Sequence, residues 1–403
     1  MKILLLVISY PPVLNSAARL FSELAEGLAG RGHQVTVLTT YPERYLAKKG
    51  SQVIPKREKN KVEVYRLKNL RLPKQVPLLR GLEHVLYGLQ YYMKGRRLGH
   101  HDVVIAYSPP LPFGATAVLL ARRWRGRAIV NVQDLYPRSA VDLGLLKNRA
   151  LIRFGEWLER WVYQHAHRIT VHSEGNRTHV VAHGGFPERT WVVPNWIDLD
   201  KYRPGPKDNG FRRKYAPGAG FVVSYAGVMG FAQGVGDILR AAAIVARETS
   251  DVIFLLAGEG VMLPKLKAMA ADLNLENVQF LPHLPENDYV ALLQASDVCL
   301  VTLHKELKTP VVPGKLPCIM GVGRPAICST PPQSDARLIV EEAKCGLWVP
   351  AGSPEALAEA ILTLNADPAR AAEMGNNGRR YAEQHFDREQ CISRYEEIIA
   401  KVL

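Results

Sequence analysis

Continuous apolar runs ending in Gly or Pro alternate along this chain with stretches whose apolar residues recur at helical spacing. Lys2 to Ser9 is such a run, stopped by Tyr10-Pro11-Pro12, and predicts a strand buried on both faces of a parallel sheet rather than a secretory leader. Leu20, Leu24 and Leu28 mark a helix from about Arg19 to Ala29, closed by Gly30 and Gly32, and Gln34 to Thr40 is the second strand. Strand, helix and strand make a βαβ unit. Residues 45–75 show weak alternation at Val62 to Arg66 and read as a flap or hairpin. A helix over 78–99, strands at Asp102–Ala106 and Ala128–Val132, a helix over 149–166 and a strand at Arg168–His172 continue the series.

After Asp198–Lys207, which holds Pro204 and Pro206, the pattern starts afresh. Strands are predicted at Phe221–Ala226, Val252–Ala257, Val278–Leu281, Val298–Thr302, about Pro325–Cys328 and Leu347–Val349. Helices are predicted over 236–248, 262–273, 286–295, 354–366 and 388–402. Two consecutive series of this kind predict an α/β protein of two doubly wound, Rossmann-like domains facing a cleft. The boundaries expected are 1–205, 206–385 and a C-terminal helix in 386–403 packing back towards the N-terminal domain. With 403 residues, two domains are also the default from length alone.

Charge changes this picture because it is lopsided. Residues 1–200 hold 30 Lys+Arg against 15 Asp+Glu, a balance of +15, and the remainder balances at −1, giving the net +14. Lys48, Lys49, Lys56, Arg57, Lys59 and Lys61 concentrate much of the excess and form the expected acceptor or membrane surface, a field that attracts anionic headgroups or phosphorylated substrates. A solvated surface loop is the plain alternative. Arg149, Arg153 and Arg160 beside Trp157 offer a second basic face that could lie on a membrane, although the aromatic residues of that helix more commonly serve packing. No recognition module for nucleic acid accompanies the positive field. The five cysteines form no CxxC pair, so neither a zinc site nor a disulfide framework is indicated, and a reducing cytoplasm fits.

Two places carry candidate chemistry. Thr309 to Ile327 passes from a Pro-rich turn through Gly314-Lys315 into a short apolar helix, a plausible anion site made of free N–H groups and a cation. A loop–helix connection with a solvated lysine is the alternative. Gln133-Asp134-Leu135-Tyr136-Pro137 lies at the C-terminal end of a predicted strand, where open α/β sheets bind ligands.

The order of several blocks resembles glycosyltransferase family 4: YPP near the start, RGHQVTVLTT at 31–40, VVPNWIDLDKYRP at 192–204, AGEG at 257–260, ASDVCL at 295–300, and GRPAI with CGLWVPAGSPEALAEAI at 323–327 and 345–361. QDLYPRSA at 133–140, YAGVMGFAQG at 225–234 and VPGKL at 312–316 resemble a fucosaminyl- and fucosyltransferase-like branch that builds O-antigen, capsule or exopolysaccharide on lipid carriers. The resemblance implies the GT-B fold and sugar transfer from a UDP- or GDP-sugar to a polyprenyl-diphosphate-linked saccharide, with retention. It implies no metal or other cofactor, and a cytoplasmic protein peripheral on the inner membrane face.

Carried over to this sequence, the resemblance places the donor base against Leu281 and His283 and the diphosphate near Gly314 and Lys315. Lys315 stabilises the leaving diphosphate. Further donor contacts fall on Gly227, Met229, Gly230, Gln233 and Glu259, on Thr309, Pro313 and Cys318, and on the loop Asn15-Ser16-Ala17. Asp134 orients the acceptor hydroxyl or the reacting sugar, with a helix N-cap as the competing role. The sequence departs from the family where a pair of glutamates is usual, at Pro310 and Cys318, and has Gln233 where a lysine is expected. His304, Lys305 and Lys308 lie just upstream and could supply replacement contacts, although solvated loop charges are the commoner explanation. With both glutamates gone, the chain could alternatively be a non-catalytic GT-B partner of an active transferase, and a nucleotide-sugar epimerase is a third reading.

Overall fold

The computed structural model describes residues 1–13, 15–42, 62–70 and 77–403. Two compact units form: Met1–Asn195 with Glu389–Leu403, and Trp196–Arg388. The break falls at Asn195, earlier than the proline-containing linker suggested. Ile197 and Tyr202 are buried in the second unit's core against Leu316 and Ile319, so the residues before the linker already belong to that unit.

The first unit is built on β1 (Lys2–Leu6), β2 (Gln34–Thr40), β3 (Glu63–Leu67), β4 (Val103–Ser108), β5 (Arg127–Val132), β6 (Arg168–Val171) and β7 (Thr190–Val192). All seven are parallel, in the order β3-β2-β1-β4-β5-β6-β7. The expected flap or hairpin at Val62–Arg66 is instead this sheet's edge strand, with Val37 opposite Val64. Its weak alternation has a physical cause: Val62 and Val64 are buried, while Tyr65 and Leu67 on the other face also pack against the core. The central strands read as unbroken apolar runs because helices cover both faces. Chain order reverses between β1 and β4, which makes their carboxyl ends a topological switch point.

The C-terminal segment completes this unit from within. Tyr395 of the helix Arg388–Ala400 is fully buried, and its hydroxyl accepts from Asn131 Nδ2 at 2.8 Å and shares a hydrogen bond with Thr170. Arg127 and Arg168 donate to the carbonyls of Val402 and Lys401.

The second unit carries β8 (Phe221–Ala226), β9 (Val252–Ala257), β10 (Val278–Leu281), β11 (Val298–Thr302), β12 (Ala326–Thr330) and β13 (Gly346–Pro350), again all parallel, in the order β10-β9-β8-β11-β12-β13. Its switch point lies between β8 and β11. Asp297, just before β11, ties the sheet to the helix Gly210–Tyr215: it accepts from Lys207, from Arg212 and from the Val222 N–H. Burial raises its carboxyl, but those donors outweigh burial and hold it below its usual value.

Replacing Tyr395 by Phe removes one hydroxyl that serves two buried partners. Chemical unfolding should show a loss of roughly 1–2 kcal/mol, because Asn131 keeps its desolvation cost and loses an acceptor.

Candidate active site

At the switch point of the second unit, two loops lean on each other by backbone contact. Gly227 to Gly230 follows β8, and Gly258 to Gly260 follows β9. Met229 N–H donates to Glu259 O at 2.8 Å, and Met262 N–H donates back to Met229 O at 3.0 Å. The approach is too close for side chains. A Cβ on Gly258 would overlap Gly227 O, one on Gly260 would overlap Met229 O, and Gly258 has φ 145°. Below, Gly258 N–H bonds Leu281 O, and Thr302 Oγ1 at the end of β11 bonds Gln233 O at 2.6 Å. The carboxyl ends of β8, β9, β10 and β11 are thus bound into one frame.

Lys315 reaches into this frame from the helix Lys315–Gly321. Its Nζ lies 3.7 Å from the centroid of the Tyr225 ring, and a Cβ on Gly227 would come within 3.0 Å of it. The Tyr225 hydroxyl is turned away to Val228 O. The Lys315 ammonium is buried and has no hydrogen-bond partner among the described residues, and burial pulls its pKa down to about 7. Thr309, 3% exposed in the same connecting loop, likewise has a buried Oγ1 without a partner. A buried ammonium without a partner among the described residues is costly to leave so, on the order of several kcal/mol, and suits a site for an anion.

The helix itself contributes less than its Gly-Lys start suggested. It has seven residues, Gly314 at its start makes no side-chain cap, and the Leu316 N–H is already bonded to Pro313 O. So short a helix carries little macrodipole, which leaves the ammonium as the main charge.

Other expected donor contacts are distributed unevenly. Gly227, Gly230 and Glu259 sit in the loops just described, and Gln233 ends the 3-10 turn Phe231–Gln233 that follows the first of them. The Met229 side chain faces the core, so only its backbone is available at the frame. Cys318 is also a core residue, packed with Val312, Leu316 and Ile319, and its thiol donates to Gly314 O; it offers a ligand nothing in place of a carboxylate. Pro313 is buried beside Gly314. Leu281 is buried and His283 exposed at the end of β10. Sequence reasoning missed Tyr225, although a tyrosine one residue from the end of an apolar strand that runs into a glycine loop was a visible signal. It also missed the exposed Val228, Phe231 and Val261 that rim these loops.

In the first unit Asp134 follows β5. Beneath it, Gln133 exchanges two amide hydrogen bonds with Asn195, at 2.9 and 2.8 Å, and donates to Asn131 Oδ1, whose amide is held by Tyr395. This buried network fixes the strand end that presents Asp134. The carboxylate has solvent on one side yet dense protein around it, and burial raises its pKa. It is not a helix cap: the helix Arg138–Asp142 begins after Pro137 without a side-chain cap. Asn15 is one, accepting from Ala18 N–H at 2.8 Å at the start of the helix Ser16–Gly30, so its side chain is committed to structure; Ser16 beside it is exposed and Ala17 partly so. Lys48, Lys49, Lys56, Arg57, Lys59 and Lys61 lie outside the described residues.

Two all-parallel, Rossmann-like units in one chain are the architecture of the GT-B fold. Comparison with known proteins agrees. The sucrose-phosphate synthase of Thermosynechococcus elongatus shares the fold over 100% of this chain and 98% of its own, with a TM-score of 0.77 and 18% identity. HepE of Anabaena, solved with UDP and glucose, does so over 100% of both chains, with a TM-score of 0.76 and 19% identity.

Residues 16–196 match the glycosyl transferase 4-like domain, and residues 207–381 match glycosyl transferases group 1. The chain is therefore a nucleotide-sugar glycosyltransferase that joins these two domains. The putative colanic acid biosynthesis glycosyl transferase WcaI of Escherichia coli K12 is 26% identical over 98% of both chains. The probable glycosyltransferase WbjE of Pseudomonas aeruginosa is 25% identical over 70% of this chain and 71% of its own.

Lys315 gives the second unit a pH signature. Lys315 has a folded pKa of about 7 against 10.5 unfolded, so between those values the folded chain holds fewer protons, and stability rises with pH across that window. Lys315→Met should be no less stable than wild type at pH 7 and should flatten this rise, as measured by urea unfolding at pH 7 and pH 9.

Proposed function

We propose that the chain transfers a sugar from a nucleotide-sugar donor to a lipid-linked saccharide during assembly of a surface polysaccharide. The observation that carries this reading is the buried, unpartnered ammonium of Lys315 at the switch point of the second unit. When the bond between the sugar's anomeric carbon and the diphosphate breaks, negative charge grows on the departing diphosphate. A fixed cation in a dry site stabilises that charge more than water would. Arrival of the diphosphate also favours the charged lysine, so the site takes up a proton as the donor binds. Gly227 leaves room for a phosphate oxygen beside Nζ.

UDP-sugars are the first donors to test, since HepE is described with UDP-glucose as well as with UDP and glucose. WcaI's description as a colanic acid biosynthesis enzyme supports a surface-polysaccharide product, and the branch resemblance supports a polyprenyl-diphosphate-linked acceptor, a sugar of the fucose or fucosamine class and retention of configuration. Val228 and Phe231 are apolar neighbours suited to the methyl group of such a 6-deoxy sugar. On the first unit, Asp134 orients the attacking hydroxyl; its raised pKa suits a group that holds the acceptor's proton during the reaction.

Calorimetry with UDP, GDP and dTDP in buffers of different ionisation enthalpy tests the reading. One nucleotide should bind with uptake of up to about one proton at pH 8, where Lys315 is mostly neutral before binding. Lys315→Met should weaken that binding by about ten- to a hundredfold, the worth of one charge-assisted hydrogen bond. Unchanged affinity and transfer rate in the variant would remove Lys315 from the site.

A further inference from the structure

On one side of the first unit's sheet, three helices pack in a row: Pro77–Gly95 against Pro112–Trp124, and Pro112–Trp124 against Arg149–His165. Their inward faces are ordinary core. Tyr87 and Tyr91, Phe113 and Leu120, and Val162 and Tyr163 are all buried. Their outward faces are unusual. Leu82, Val85, Leu89 and Met93 recur at helical spacing on the first helix and are all exposed, Leu89 by 57%. Leu119 is exposed on the middle helix. Phe154 and Trp157, exposed by 48% and 58%, stack on each other on the third, with ring centroids 5.8 Å apart. Seven of the seventeen large hydrophobic residues exposed among the described residues therefore fall on one three-helix layer, more than scattered surface residues account for.

The charges around this apolar surface are mostly positive. Arg122 and Arg123 are exposed on the middle helix, and Arg149, Arg153 and Arg160 on the third. Arg96 and Arg97 follow the first helix, and Lys147 precedes the third. Glu156 is the exposed acid on these three helices among the described residues; Glu83 and Glu159 are buried.

From this pattern we infer that the outer face of the helix layer lies on an anionic lipid surface, its leucines and aromatic residues seated at the headgroup boundary and its arginines on the headgroups. A second copy of the chain fits less well, because a two-fold contact would bring together two faces with the same excess of arginine. The inference deepens the reading of a lipid-linked acceptor and rests on it for its purpose. One contact connects the two: Gly155 of the third helix packs on Pro137, three residues after Asp134, and a Cβ there would meet Pro137 Cγ at 3.1 Å. The helix that carries Phe154 and Trp157 outward thus supports, on its inner side, the loop that carries Asp134.

Sedimentation with phosphatidylcholine vesicles, with or without about 40% phosphatidylglycerol, reads the surface directly and needs no turnover. Wild type should bind the anionic vesicles, and less so at high salt. The triple variant Leu89→Ser, Phe154→Ser, Trp157→Ser should lose at least about tenfold in binding with its thermal unfolding unchanged, because all three side chains are exposed. Arg149→Glu with Arg153→Glu should lose a similar factor. Replacing Lys48, Lys49, Lys56, Arg57, Lys59 and Lys61 by Gln should leave most of the binding.

Four results would overturn the inference: full vesicle binding by the triple variant, loss of binding only when the 48–61 lysines and arginine are neutralised, no binding by wild type, or a wild-type dimer in light scattering that the triple variant dissolves. Retention on nucleic acid with no affinity for vesicles would do the same. Vesicle binding by a protein without nucleotide affinity would instead refute the proposed function and leave the surface standing.

Discussion

A buried ammonium without an acceptor is the feature on which the second unit's design turns. Desolvating a cation is among the more expensive things a fold can do, and proteins normally avoid the expense by pairing the group or releasing its proton. Here no described residue pairs with Lys315. Its neighbours are the face of Tyr225 and the bare backbone of Gly227, held in place because Gly258 and Gly260 let two loops touch without side chains. The frame is rigid for the same reason. Its contacts are backbone hydrogen bonds tied to four strand ends, so the wall against which the ammonium lies is fixed. An anion that fits beside Nζ would offset that desolvation cost.

The first unit uses a different device for the same purpose of holding one carboxylate still. Asp134 is presented by a strand end whose neighbour, Gln133, sits in a closed amide network with Asn131 and Asn195. The network is completed by Tyr395, more than two hundred residues away in sequence, so the last helix is part of the support for the loop. Fully satisfied buried networks of this kind specify one arrangement.

Much of this was legible from the pattern of apolar residues. Strands such as Phe221–Ala226 and Val298–Thr302 announce themselves because a parallel strand buried on both faces has no polar alternation to confuse it. Edge strand β3 did not, since its charged residues and isolated valines imitate a surface loop. The helices Glu174–Ala182, Asp335–Ala343 and Pro368–His385 escaped notice because their polar residues dilute the periodic signal; the last has Gly375 and Gly378 at close contacts where leucines would ordinarily mark a core face.

At the site, the position of Lys315 was readable from Gly314-Lys315, but its isolation was not, because burial and the absence of a partner are properties of the fold. Asn15, Met229 and Cys318 were placed by position in a motif, and the structure gives their side chains to a cap and to the core. The exposed leucines of the helix Pro77–Gly95 look like core residues in sequence; only the fold reveals which way they face.

Titration of the Lys315 side chain itself tests the central claim most directly, by following its ε-carbon by NMR in 13C-lysine-labelled protein, with Lys315→Met to assign the signal. The account predicts a midpoint near 7 in the empty protein and a large upward move when a nucleoside diphosphate is bound. A midpoint near the ordinary 10.5, or one that ligand leaves in place, would contradict it.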